Sequence, residues 1–140
     1  MEVFTWPVRV YYEDTDTAGV VYYANYLKFM ERARTEWLRS LGFEQDSLMR
    51  DPGVIFAVRA VDVDYRQPAR FNDALDVTAA VRHVRPASVV IEHEVLRASE
   101  ASGDRPLLAC GSVRLACLDA ASFRPVAFPE NLLEAVVRVS

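Results

Sequence analysis

The chain has one long helical pattern, and most of its other patterned segments are typical of strands. From about Val21 to Leu41, apolar residues recur with the i, i+3, i+4, i+7 spacing of a helix face. They are Tyr23, Tyr26, Leu27, Met30, Ala33, Trp37, Leu38 and Leu41. The apolar arc covers about two-thirds of the circumference, and Gly42 stands where helices commonly end. We therefore predict a helix wrapped by a sheet rather than laid on a surface.

Strand patterns flank this helix on both sides. A first strand is predicted over Val3–Tyr12, followed by a polar, turn-prone segment at Glu13–Gly19. After a loop around Asp51-Pro52-Gly53, a turn at 85–88 and another at 102–106 separate alternating segments. The predicted strands are Val54–Tyr65, Leu75–Arg82, Val89–Leu96 and Leu107–Leu118, with a short helix at Glu130–Val139. Strands joined by short turns pair antiparallel, so the predicted class is α+β, with residues 1–140 forming a single domain.

Composition excludes several classes of function. The 140 residues carry 16 Lys and Arg against 20 Asp and Glu, a net charge of -4, which disfavours a general nucleic-acid binder. We expect no transmembrane segment, because no apolar run approaches roughly 20 residues. No signal peptide is visible either. Cys110 and Cys117, seven residues apart in one predicted strand, should point to opposite faces, and unpaired thiols favour a cytoplasmic location. All the cations except Lys28 are arginine.

Common catalytic signatures are absent from the sequence. There is no G-x-S-x-G elbow, no H-E-x-x-H zinc motif and no glycine-rich phosphate loop. The two histidines, His83 and His93, both fall in predicted strands and lack accompanying ligands. We therefore expect no metal and no cofactor.

Three carboxylates precede the helix: Glu13, Asp14 and Asp16. They are consistent with a solvated acidic turn that complements the helix dipole. They are equally consistent with a catalytic site, because a carboxylate beside the free N–H groups of a buried helix end places a nucleophile or base next to an oxyanion site. The residues alone leave both interpretations open.

The same segment resembles the signature of the 4-hydroxybenzoyl-CoA thioesterase-like hotdog family, especially the bacterial acyl-CoA thioesterases associated with the Tol–Pal cluster. Two further motifs fit the family, and the resemblance covers nearly the whole chain. The matching residues are Asp14-Thr15-Asp16-x-x-Gly19-Val20-Val21-Tyr22-Tyr23-x-x-Tyr26, then Phe29-x-Glu31-Arg32-Ala33-Arg34, Tyr65-Arg66-x-Pro68-Ala69-Arg70-x-x-Asp73 and Arg85-x-Ala87-Ser88.

This resemblance implies a hotdog fold, in which a five-stranded antiparallel sheet wraps a central helix, here Tyr23–Leu41. It also implies homodimers or homotetramers with active sites at subunit interfaces. Asp16 matches the family's catalytic carboxylate, and Gly19 would allow a tight approach to the helix start. The backbone N–H of Tyr23 matches the group that polarises the thioester carbonyl.

Substrate contacts are implied less specifically. Arg85 and Ser88 match positions that contact CoA phosphates in some members, so Arg82 or Arg66 should lie near Arg85. Tyr26 is expected to line the substrate pocket. The Tol–Pal-associated members commonly carry His where this chain has Tyr23, so no catalytic imidazole is carried over, although a backbone role is compatible with any side chain.

The predicted function is hydrolysis of an acyl-CoA to free acid and CoA, with the acyl group left open. A thiol with a pKa near ~8.5 leaves without a strong general acid, which suits a chain poor in histidine. One alternative is a non-catalytic module that binds acyl thioesters or acyl-carrier protein. Another is a hotdog dehydratase or hydratase, against which stands the absence of His near Asp16. Glu31 is an alternative carboxylate, but Arg34 and Thr35 one turn on favour an ordinary ion pair.

Overall fold

The computed structural model describes residues 1–98 and 103–140. All strand pairs are antiparallel, and the order across the sheet is β1-β3-β4-β5-β2. The strands are β1 (Val3–Arg9), β2 (Val54–Tyr65), β3 (Ala74–Arg85), β4 (Ser88–Arg97) and β5 (Leu107–Asp119). The helices are α1 (Asn25–Ser40), α2 (Gln45–Arg50) and α3 (Glu130–Val139), with a 3₁₀ turn at Tyr12–Asp14.

The sheet wraps α1 as the helical pattern predicts. Phe29, Met30 and Ala33 are fully buried on the inner face of the helix, and α1 contacts β1, β3 and β4. Towards the C-terminal half of α1, the core continues through Trp37 and Leu38 to α3. This arrangement confirms the α+β class and the five-stranded sheet around one long helix.

Three elements differ from the prediction. β1 ends at Arg9 rather than Tyr12, because the Asp14 carboxylate accepts the Tyr11 N–H and starts a turn. α1 begins at Asn25 rather than Tyr23, because residues 20–22 pair with residues 14–16 in an extended conformation. Helix α2 was not predicted, since its six residues bury only Leu48 and therefore show no periodicity.

Gly111 in β5 lies where the sheet touches the helix most closely. A Cβ added there would meet Met30 Cε at 3.1 Å and the Asp62 carbonyl oxygen at 3.2 Å. We expect Gly111→Ala to lower the free energy of unfolding by about 1–2 kcal/mol, because the neighbours must shift to admit a methyl group. Denaturant unfolding would measure this loss, with Ser112→Ala as the matched control. An unchanged midpoint for Gly111→Ala would contradict the close packing.

The outer strands of the sheet are β1 and β2, and β2 exposes Val58 and Val61 at its edge.

Both cysteines are free, Cys117 being buried and Cys110 partly exposed. No helix among residues 1–98 and 103–140 is long and apolar enough to span a bilayer. The predicted turn at 102–106 begins outside these residues.

Candidate active site

The acidic motif forms a narrow loop whose two sides pair antiparallel. The Asp16 N–H donates to the Val20 carbonyl (2.9 Å), and the Tyr22 N–H donates to the Asp14 carbonyl (2.9 Å). Between these bonds, Thr15 and Val21 form an isolated bridge. The loop therefore holds Asp16 at its turn and leads directly from Tyr22 into the start of α1.

Asp16 is exposed at the tip of this loop. Its Oδ1 accepts the Ala18 N–H (2.8 Å), and its carbonyl accepts the Gly19 N–H (3.0 Å). Its Oδ2 makes no hydrogen bond to any residue that the structure describes. The carboxylate is thus oriented through one oxygen and open to water or substrate through the other.

Gly19 adopts a backbone conformation that favours glycine, whereas the expected reason for a glycine here was a tight approach to the helix start. Its φ is +79°, a conformation that L side chains rarely adopt. A Cβ at this position would meet nothing within 4 Å, so the predicted tight approach to the helix start is not found within this chain. Gly19 allows the turn to form, and the turn leaves the Asp16 side chain exposed.

Asp14 has a structural role. It is buried, and its Oδ2 accepts the Tyr11 N–H (2.8 Å). Its carbonyl accepts both the Tyr22 N–H (2.9 Å) and the Asn25 side-chain amide (2.8 Å). Asp14 therefore ties the loop to the first residue of α1, whereas Glu13 is exposed to solvent. Of the three carboxylates, Asp16 alone is both exposed and held by the turn.

Two backbone N–H groups precede the helix. The Asn25 N–H donates to the Tyr22 carbonyl (2.8 Å), which makes residues 22–25 a turn. The N–H groups of Tyr23 and Ala24 donate to no acceptor in the described residues, and no side chain caps the helix. Tyr23 is the third residue after Val20, the pairing partner of Asp16, so the chain between them spans at most roughly 10 Å. That span has room for three things placed end to end: the Asp16 side chain, the thioester carbonyl that it would attack, and a hydrogen bond of roughly 3 Å from the Tyr23 N–H to that carbonyl.

Two tyrosines lie behind this turn, Tyr26 on the apolar helix face that the sequence predicts and Tyr65, whose role the sequence did not reveal. The Tyr65 hydroxyl donates to the Tyr23 carbonyl (3.0 Å). Tyr26 is buried in the core, and its hydroxyl accepts the Ala69 N–H (2.9 Å). The structure thus gives Tyr26 a packing role, and its contact with substrate stays a prediction. Tyr65 opens one of the sequence motifs, which is the one signal that pointed to it.

Arg85 and Ser88 face each other across the β3–β4 hairpin. They border a surface cleft of about 490 Å³ together with Arg59 and Arg114. None of these three arginines forms an ion pair within the described residues. Arg66, which pairs with Asp64, does not border this cleft. Arg82 pairs with Glu92 and borders an adjoining cleft that it shares with Arg114. A role for these arginines in substrate binding stays a prediction.

The cleft and the loop lie far apart in one chain. β3 begins at Ala74. The residue before it, Asp73, accepts the Val10 N–H with its carbonyl, and Val10 shortly precedes the acidic loop in the chain. Arg85 ends the same strand eleven residues later, which is roughly 36 Å away. One CoA ester bound at the loop of one subunit therefore does not reach its own arginine cleft along this strand.

Neither histidine forms an ion pair with a carboxylate of residues 1–98 or 103–140. His83 is exposed, whereas His93 is buried between α1 and the sheet. The His93 Nε2 accepts from Arg34 Nη1 (3.1 Å), which assigns the ring proton to Nδ1, facing the Thr78 carbonyl (2.7 Å). Burial, with a smaller contribution from the Arg34 charge, lowers the pKa of His93 to about 4. A His–carboxylate pair of the dehydratase type is therefore not formed at His93.

The expected ion pair between Glu31 and Arg34 is not formed among the described residues. Glu31 Oε1 instead accepts the Thr35 hydroxyl (3.4 Å). Burial lowers the pKa of Arg34, and the charge of Glu31 opposes that shift. Glu31 and Arg34 border a cavity of about 150 Å³ whose remaining walls are largely apolar. The cavity lies along the C-terminal half of α1, away from the acidic loop.

Comparison with known proteins places this geometry in a family. Residues 10–136 match the Thioesterase-like superfamily. The chain belongs to this family. It is 42% identical over 129 residues to the acyl-CoA thioesterase YbgC of Haemophilus influenzae, covering 92% of this chain and 90% of the relative. It is 41% identical to the acyl-CoA thioester hydrolase YbgC of Escherichia coli O6:H1, covering 94% and 93%.

Solved structures agree with the fold. The DHNA-CoA thioesterase of Staphylococcus aureus superposes with a TM-score of 0.89 at 25% identity, covering 99% of this chain and 91% of that one. The hotdog fold and the predicted thioesterase class are thereby confirmed.

Proposed function

We propose that the protein hydrolyses acyl-CoA thioesters and that Asp16 is its catalytic carboxylate. The observation that carries the proposal is the loop itself. One short segment presents a carboxylate with a free oxygen and, roughly 10 Å along the chain, two N–H groups without acceptors. The names of the relatives, which describe acyl-CoA thioester hydrolysis, support the same substrate class.

The chemistry follows from these groups. Asp16 attacks the thioester carbonyl carbon, or takes a proton from a water that attacks it. Negative charge then develops on the carbonyl oxygen, where the N–H groups of Tyr23 and Ala24 stabilise it. The C–S bond breaks and the electron pair leaves on sulfur. Where Asp16 is the attacking group, the acyl group remains on its carboxylate as an anhydride, which water then hydrolyses to regenerate Asp16. In either route, water supplies the hydroxyl of the free acid and the proton of the CoA thiol.

A thiol-release assay with a panel of acyl-CoAs tests the proposal. Aliphatic esters of increasing length and an aromatic ester would also define the acyl preference. We expect turnover with at least one ester and stoichiometric thiol. Tight binding of acyl-CoA without thiol release would instead establish the alternative, a binding module for acyl thioesters.

The three unpaired arginines are proposed to bind the phosphates of CoA. Arg59, Arg85 and Arg114 concentrate positive charge at one cleft of a chain whose net charge is -4, so local charge outweighs the total. We expect Arg85→Gln to raise KM for acyl-CoA about 10-fold, since one charge-assisted hydrogen bond is lost. The same variant should hydrolyse the matching acyl-pantetheine, which lacks the phosphates, as the wild type does. An equal loss with both substrates would contradict phosphate binding.

A homodimer formed through β2 is proposed as the assembled state. β2 is a twelve-residue edge strand with exposed apolar side chains, and such edges readily pair with a second copy. One CoA ester would then take its Asp16 loop from one subunit and its arginine cleft from the other. Light scattering should give twice or four times the mass of the chain, and a monomer at assay concentration would exclude this arrangement.

A cytoplasmic location is proposed on the strength of the thiols. Cys110 and Cys117 are both free, and burial raises the pKa of Cys117 to about 11. An unreactive, unpaired thiol suits a reducing compartment.

A further inference from the structure

The hydroxyl of Tyr65 is the one side-chain contact to the peptide that joins Tyr23 to Ala24 among the described residues. Tyr65 ends the edge strand β2, and its hydroxyl lies 3.0 Å from the Tyr23 carbonyl oxygen. No backbone N–H of the described residues reaches that carbonyl, because the nearby Leu27 N–H donates to the Ala24 carbonyl instead. This peptide is the central one of the turn at residues 22–25, and Tyr65 is the residue that holds its carbonyl.

A trans peptide is planar, so its N–H points opposite to its carbonyl. By holding the Tyr23 carbonyl, Tyr65 directs the Ala24 N–H away from the sheet edge. The preceding peptide is held in the same way, since the Tyr22 carbonyl accepts the Asn25 N–H and the Tyr23 N–H points opposite. One of the two exposed donors is thus set by the turn and the other by a side chain.

The tyrosine ring is itself held in place. It makes edge contacts with the rings of Tyr26 (5.4 Å between centroids) and Tyr23 (6.3 Å). Burial against these rings raises the pKa of Tyr65, which keeps the phenol protonated and able to donate. We infer that Tyr65 is a positioning residue, which orients the N–H groups at the start of α1 towards the thioester oxygen. This inference rests on the proposed function.

Tyr65→Phe keeps the ring and removes only the hydrogen bond. We expect kcat to fall about 10-fold, because misaligned oxyanion donors act on the transition state. KM should change less than 2-fold, and the melting temperature should stay within about 2 °C. Tyr11→Phe is the matched control, because Tyr11 is exposed and its ring contacts none of these groups; it should behave as the wild type.

An infrared measurement separates this inference from the proposed function. Asp16→Asn is saturated with the acyl-CoA that the wild type hydrolyses fastest in the panel, labelled with ¹³C at the carbonyl, and the carbonyl stretch is compared with that of free ester. A shift to lower frequency in Asp16→Asn that shrinks when Tyr65→Phe is added supports the positioning role. The same shift in both proteins overturns the role of Tyr65 while leaving the proposed function standing. No shift in Asp16→Asn overturns polarisation by the helix start, and with it both proposals.

Discussion

Replacing Asp16 by asparagine is expected to lower kcat for acyl-CoA hydrolysis by about 10³-fold, the scale of a lost general base or nucleophile. The amide keeps the size of the side chain and an oxygen that can accept the Ala18 N–H, as Oδ1 does now. It cannot attack the thioester or take a proton from water. Because Asp16 is exposed, the melting temperature should be unchanged.

Two neighbouring carboxylates make this experiment specific. Glu13→Gln, an equally conservative change at an exposed position of the same motif, should retain most of the wild-type kcat. Asp14→Ala should instead lower the melting temperature, since Asp14 is buried and alanine has no oxygen to accept the Tyr11 N–H. Wild-type turnover by Asp16→Asn would remove Asp16 from the mechanism, whatever the other two variants do.

Acid should destabilise the protein through His93. In the unfolded chain this histidine takes up a proton near pH 6.5, whereas in the folded protein burial and Arg34 lower its pKa to about 4. Between these pH values the unfolded state binds the proton more readily, so the free energy of unfolding falls as the pH falls. The full loss attributable to this residue is about 3 kcal/mol, complete near pH 4.

His93→Gln isolates this contribution from that of the carboxylates. A glutamine can accept from Arg34 with its oxygen and donate to the Thr78 carbonyl with its amide, which preserves both contacts. Denaturant unfolding at pH 7 and at pH 4.5 should therefore show a smaller acid-induced loss in the variant than in the wild type. Parallel pH profiles for the two proteins would show that His93 does not titrate between the folded and unfolded states.

The strands and the long helix could be predicted because their patterns repeat. β2 begins and ends at the predicted residues Val54 and Tyr65, and α3 matches its predicted range Glu130–Val139. The limits of β1 and α1 could not be predicted in this way. They depend on Asp14, whose buried carboxylate captures a backbone N–H and whose carbonyl receives two further donors. Such single contacts have no periodicity and leave no pattern in a sequence.

The candidate site, like the fold, has parts that the sequence could predict and parts that it could not. The exposed position of Asp16 and the positive φ of Gly19 agree with the motif that singled them out. Tyr65 is forty-two residues from Tyr23 in the chain, and no local rule links the two. Arg59 and Arg114 lie on β2 and β5, and only the register of β2 with β5 and of β5 with β4 brings them to the cleft that Arg85 borders.

β2 is both the open edge of the sheet and the strand that ends in Tyr65. Whatever pairs with this edge therefore restrains the residue that supports the start of α1. Dilution that separates paired copies would leave the last residues of β2 held by β5 alone and loosen that support, even though Asp16 and its turn belong to a different part of the chain. Turnover per subunit would then depend on protein concentration, and each subunit would gain its full activity only as it assembles.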